Sequence, residues 1–221
     1  MRNKLAVSVL AMAAAGCAGM SKEECLYADW RAIGYEDGAA GRPVSAVSSR
    51  RAQCANKAGV TVDMVSYQAG RSDGLRTYCQ PSRAFSEGSR GAYYHGVCTG
   101  PEEFEFTTAF QAGHQLFALR QTVAGISSDI QRAHNDLNRI EHDIDHTQGA
   151  LISPGVPVAE RVQLLADLKN LSEEKGNIET ALIALNRDHV RAQEDLRAYE
   201  AELAYNGSYQ GYATSPTQAR Y

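Results

Sequence analysis

From Leu116 onward, apolar or small residues return at Leu119, Val123, Ile126, Ile130, Ala133, Leu137, Ile140, Ile144, Thr147 and Leu151, in steps that alternate three and four. Such spacing holds one stripe of a helix against one partner, and repeated over five heptads it reads as a coiled-coil seam. Ser153-Pro154-Gly155-Val156-Pro157 interrupts the pattern with two prolines that a helix interior does not tolerate. A second seam follows at Leu164, Leu168, Leu171, Lys175, Ile178, Leu182, Leu185, His189, Ala192, Leu196, Tyr199 and Leu203. Folding the second helix back on the first puts Ile144 near Leu168, Ile130 near Leu182 and Leu116 near Leu196, so the two stripes meet along their length. The pattern predicts an antiparallel coiled-coil hairpin over residues 114–205 with its loop at 152–158, about 50 Å long at about 1.5 Å per residue. Lys175 and His189 break the second seam. Each is expected to set register or to snorkel, with Asp136 the nearest acid for Lys175.

Residues 25–113 have a different pattern: rich in Gly, Tyr and Arg, and poor in Leu and Ile. A small residue, an aromatic, two variable residues and a glycine recur as Gly34-Tyr35-x-x-Gly38, Ser66-Tyr67-x-x-Gly70, Ala84-Phe85-x-x-Gly88, Ala92-Tyr93-x-x-Gly96 and Ala109-Phe110-x-x-Gly113. On a helix the small residue and the glycine share a face, and such a face lets another backbone approach closely. Glycine costs up to about 1 kcal/mol in a helix relative to alanine, so its repeated use calls for a compensating contact. Short helices crossing tightly would supply one; the other reading makes these glycines turns and helix ends. A phosphate cradle is not indicated, because no G-K-[ST] ending and no preceding apolar strand accompanies the glycines.

The two ends differ again. Arg2 and Lys4 precede an apolar run over residues 5–15, followed by Ala14-Ala15-Gly16-Cys17 and then polar residues. A run of about 11 residues is too short to span a bilayer, which takes about 20. The layout is that of a secretory signal (1–16) ending in a lipobox, with Cys17 acylated and residues 17–24 a lipidated linker. Cleavage at a small-x-small site and an uncleaved anchor are the other readings. Ala18, where an aspartate would favour inner-membrane retention, points to the outer membrane. Residues 206–221 hold Tyr, Gly, Ser, Gln and Thr with too few aliphatic side chains to bury, and are expected to be a disordered tail.

Five cysteines become four once Cys17 carries lipid: Cys25, Cys54, Cys79 and Cys98. An even count in an exported chain reads as two disulfides, and without a C-x-x-C pair a zinc site is not indicated. Three connectivities exist; the pairing that closes the shortest local loops is Cys25–Cys54 with Cys79–Cys98. A formal net charge of −4, mixed in sign, offers no basic stripe for a nucleic acid.

Candidate chemistry is sparse. His142 and His146 are four apart on one helix face beside Glu141, Asp143 and Asp145, a spacing able to hold a metal, but the heptad turns them to solvent without a third ligand. A nucleophile for His95 would have to be Ser86, Ser89 or a cysteine, but no G-x-S-x-G elbow exists and the cysteines are better used as disulfides. Asp29 with Asp37, or Glu102 with Glu103, would supply paired carboxylates. An aromatic sugar platform would draw on Trp30, Tyr35, Tyr93 and Tyr94. No catalytic residue, metal ligand or cofactor is assigned, and a non-enzymatic protein is expected.

The run Cys25-x-x-x-Asp29-Trp30, Ile33-Gly34-Tyr35-Glu36-Asp37-Gly38 and Gly41, then Tyr67-x-x-Gly70-Arg71-x-x-Gly74-Leu75, Tyr78-Cys79 and Gly96-Val97-Cys98, resembles a bacterial lipoprotein family, domain of unknown function 2799. The resemblance covers about residues 17 to 117 and implies an exported, membrane-anchored protein with no assigned reaction. The expected fold is mainly α: a small disulfide-stapled, Gly/Tyr-rich helical domain followed by a long antiparallel coiled-coil hairpin. The expected role is a periplasmic tether or adaptor for cell-envelope proteins, held at the outer membrane by its lipid, with self-association allowed. A peptidoglycan or glycan binder, or an activator of an envelope enzyme, is the alternative.

Overall fold

The structure, a computed structural model, describes residues 19–205 of the chain. Residues 1–18 and 206–221, which hold the expected signal, Cys17 and the expected tail, lie outside the described residues. Among the described residues the chain is helical and has no strand. Its elements are α1 (Lys22–Leu26), α2 (Trp30–Ala39), a short 3-10 turn (Val44–Ala46), α3 (Val47–Ala58), α4 (Met64–Tyr78), α5 (Pro81–Ser89), α6 (Pro101–Ile152) and α7 (Val158–Tyr205).

Local chemistry sets the ends. Ser21 and Glu24 form a reciprocal capping box on α1, and Asp29 and Asp63 accept the first free amides of α2 and α4. Prolines begin α5 and α6, where a missing N–H costs nothing. Gly59 ends α3 at φ 65°, and Gly155 turns the chain between α6 and α7 at φ 83°.

The described residues divide into two compact units, one of residues 19–79 with 94–100 and one of 80–93 with 101–205. In the first, the Cys25–Cys54 disulfide ties α1 to α3. Both sulfurs are buried with Trp30, Val47, Val62 and Tyr67. Cys79–Cys98 closes the second loop. This is the shortest-loop pairing.

The second unit holds α5, α6 and α7. Helix α6 runs 52 residues without interruption, so the change of composition at residues 113–114 falls inside it, and the hairpin helix begins at Pro101 rather than at 114. Helix α7 has 48 residues, about 70 Å at about 1.5 Å per residue. The loop is 153–157. Every residue of both seams is buried or half-buried, with Leu116 and Ile140 fully enclosed. Cross-helix bonds fix the antiparallel register: the Tyr199 hydroxyl donates to the Ala112 carbonyl at 2.9 Å, Arg120 pairs with Glu200 at 2.9 Å, and Arg139 lies 3.6 Å from Glu174. His189, inside the seam, meets the Ser127 hydroxyl at 2.9 Å. Lys175 pairs not with Asp136 but with Glu141, at 2.8 Å. Asp136 instead faces Arg139 one turn on. Glu141 holds the Lys175 ammonium above its usual range.

Candidate functional site

The glycines explain how the helices meet. A methyl group on Gly34 would overlap the Tyr67 carbonyl, and one on Gly38 the Arg71 carbonyl; reciprocally, Gly70 faces the Arg31 carbonyl and Gly74 the Tyr35 carbonyl. Residue numbers rise together on both helices, so α2 and α4 cross in parallel with backbone against backbone. The same construction recurs in the second unit: Gly88 faces the Phe110 carbonyl and Gly113 the Phe85 carbonyl. Carbonyl oxygens pressed against glycine Cα–H groups suit weak C–H···O contacts and tolerate no side chain.

The two crossings are copies of one module. Tyr35, Asp37, Gly38 and Gly41 of the first correspond to Phe85, Glu87, Gly88 and Gly91 of the second. On the partner helix Tyr67, Gly70, Gly74 and Tyr78 correspond to Phe106, Ala109, Gly113 and Phe117. Even the exits match. The Arg42 amide donates to the Asp37 carbonyl as the Ala92 amide donates to that of Glu87, both at 2.9–3.0 Å. Gly41 lies against the Tyr78 ring as Gly91 lies against Phe117, both with positive φ. Four of the five sequence copies therefore serve packing, while Ala92-Tyr93-x-x-Gly96 lies outside the helices and its glycine turns the chain at φ 65°.

The first copy carries a charge at its centre. The Asp37 carboxylate is fully buried and accepts from Arg42 at 2.9 Å, Arg50 at 2.5 Å and the Tyr67 hydroxyl at 2.8 Å. Burial alone would raise its pKa. The hydrogen bonds from Arg50, Tyr67 and Arg42, with the Arg50 charge, outweigh burial and hold it below the usual carboxylate range. Burial and the bond to Asp37 push the Tyr67 phenol up to about 12. In the second copy Glu87 meets Arg83 and Arg90 nearer the surface, and Phe106 has no hydroxyl to offer. Sequence reasoning missed the Asp37 network. An acid inside a glycine-rich helix was a signal for it, but Arg50 becomes a partner only through the fold.

Other sequence candidates separate. Asp29 caps α2 through the Arg31 and Ala32 amides at 3.0 Å, so it and Asp37 have different partners. Glu102 and Glu103 are exposed in the first turn of α6, where they complement the helix dipole. Among the described residues no three His, Cys, Asp or Glu side chains are grouped to hold a metal; exposed His142 lies 3.6 Å from Asp143. His95 and the serines fall in different units, and the Ser89 hydroxyl donates to the Ser86 carbonyl at 3.0 Å. Trp30 is only 7% exposed and belongs to the core, so it leaves the sugar platform; Tyr94 accepts the Cys98 amide at 3.0 Å. Tyr35, 45% exposed, borders an open hollow with Asp29, Arg31, Glu36 and Asp73.

Residues 29–115 match the family described as protein of unknown function (DUF2799). That stretch begins at the cap of α2 and ends two residues short of Phe117, so it spans both glycine crossings. No curated protein and no solved structure matches the chain significantly.

Proposed function

We propose that the protein is a lipid-anchored lipoprotein of the outer membrane, facing the periplasm, and that it acts without catalysis as a tether or adaptor for other envelope proteins. The hairpin carries this reading: two uninterrupted helices of 52 and 48 residues present long, mixed-charge faces. Exposed apolar side chains, Ile183 at 74% and Val190 at 55%, offer footholds for a partner helix. The buried charge supports it too, since the Asp37 carboxylate is fully engaged by three partners, as a structural group should be.

Metabolic palmitate labelling should mark the chain and be lost in Cys17→Ser; an unlabelled chain recovered from the cytosol overturns the anchor. A photoreactive residue at Ile183 or Val190 in intact cells should capture one discrete envelope protein. Diffuse labelling equal to that from exposed control positions overturns the adaptor. The hollow beside Tyr35, an aromatic face ringed by carboxylates and an arginine, favours glycan binding as the second reading. Pelleting with peptidoglycan that is lost in Tyr35→Ala would select it.

A further inference from the structure

Residues 38–62 contain Arg42, Arg50, Arg51 and Lys57 and no Asp or Glu, in a chain whose net charge is −4. The fold gathers three of these cations on one side of α3. Arg42, Ser49, Arg50 and Gln53 line an open hollow with Gly19 and Met20, and the Lys57 ammonium donates to the Met20 carbonyl at 2.8 Å. Arg51 lines a different hollow. Asp37 pairs with both Arg42 and Arg50, and Glu24 lies near enough to Lys57 to feel its charge, so three cations face two carboxylates and this face keeps a surplus of one positive charge. The Cys25–Cys54 disulfide fixes α3 to α1, and three Cα-to-Cα steps, at most about 11 Å, separate Met20 from Cys17. That reach is close to the screening length of about 8 Å at physiological salt.

We infer that this face of α3, with Met20, is a docking surface for the anionic headgroups of the bilayer, so that charge supplements the acyl anchor. The inference rests on the lipid-anchor reading and deepens it. A phosphate set between Arg42, Arg50 and Lys57 would meet guanidinium and ammonium donors on the side away from Asp37.

The test uses the chain from residue 17 onward with Cys17→Ser, so that no acyl group takes part and palmitate labelling of the natural protein stays an independent question. Each basic residue near an anionic surface adds about fivefold in affinity. Co-sedimentation should therefore favour phosphatidylglycerol vesicles over phosphatidylcholine vesicles by about fivefold for the one surplus charge, and high salt should remove the preference. The pair Arg42→Gln with Lys57→Gln should abolish it, while Arg51→Gln should leave it unchanged. A photoreactive phosphatidylglycerol should label residues 42–57 of the unsubstituted surface rather than α7, a readout that does not depend on variant folding. Equal binding to both vesicles, equal loss with Arg51→Gln, or labelling of α7 would overturn the inference.

Discussion

The chain joins helices by two methods, and its glycines tell them apart. In the crossings of α2 with α4 and α5 with α6, backbones touch, and each interfacial glycine stands where a single carbon would collide with a carbonyl. In the hairpin of α6 with α7, side chains fill the seam, and Gly125, Gly149 and Gly176 have nothing within 4 Å of where a side chain would begin. The same residue is therefore indispensable in one region and a weakness in the other. A glycine's value lies in what faces it, not in the helix that contains it.

The sharpest way to break the contrast is Gly70→Ala. The new methyl must push α4 away from α2, at a cost of about 4 kcal/mol or more. Trp30, the single tryptophan and a core residue of that unit, reports the loss by fluorescence during denaturation. An unchanged midpoint would show that the crossing has slack. Removing the Cys25–Cys54 bridge with paired serines should cost about 3 kcal/mol. The loss should appear in the Trp30 signal while the helical circular dichroism of the hairpin persists; a simultaneous loss of both would deny the two units their independence.

Asp37→Asn should destabilise the first unit by about 2 kcal/mol at neutral pH, since it removes the charge that Arg50 and Arg42 face. The pH dependence gives its sign. The carboxyl lies lower in the folded chain than its ordinary value near 3.9. Its contribution is then complete above that value and disappears as pH falls through the folded pKa. Tyr67, raised to about 12, acts oppositely and loses its contribution only as pH rises from about 10 through that value. Acid denaturation of the unit should therefore flatten in Asp37→Asn; an unaltered acid limb would place the sensitive group elsewhere. The smallest effect sharpens the contrast from the other side. Gly149→Ala or Gly176→Ala should stabilise the hairpin by up to about 1 kcal/mol, read as a rise in its thermal midpoint. Destabilisation would mean that something seats against these positions.

Much of this was legible before any coordinates. Three-and-four spacing specified the hairpin, because a helix turns side chains onto one face by geometry alone. The cysteines paired by the shortest loops, and the small-aromatic-x-x-Gly pattern offered close crossings as one of two readings. It did not announce which copy meets which. A glycine face is blank: it has no side chain whose size or charge names a partner. The parallel match of α2 with α4, and its echo in α5 with α6, emerged only when the carbonyls opposite each glycine were visible. The start of the long helix at Pro101 was hidden likewise, since residues 101–113 contribute to a crossing and carry its composition rather than that of the seam.

Periodicity, caps, prolines and cysteine count were determined by the sequence itself, because each acts through neighbours a few residues away or through a simple parity. The Asp37 network, the Glu141 partner of Lys175, the burial of Trp30 and the basic face beside Met20 were decided by tertiary structure. Each depends on groups brought together from distant positions, and the desolvation that makes such contacts matter exists only once the chain has closed around them.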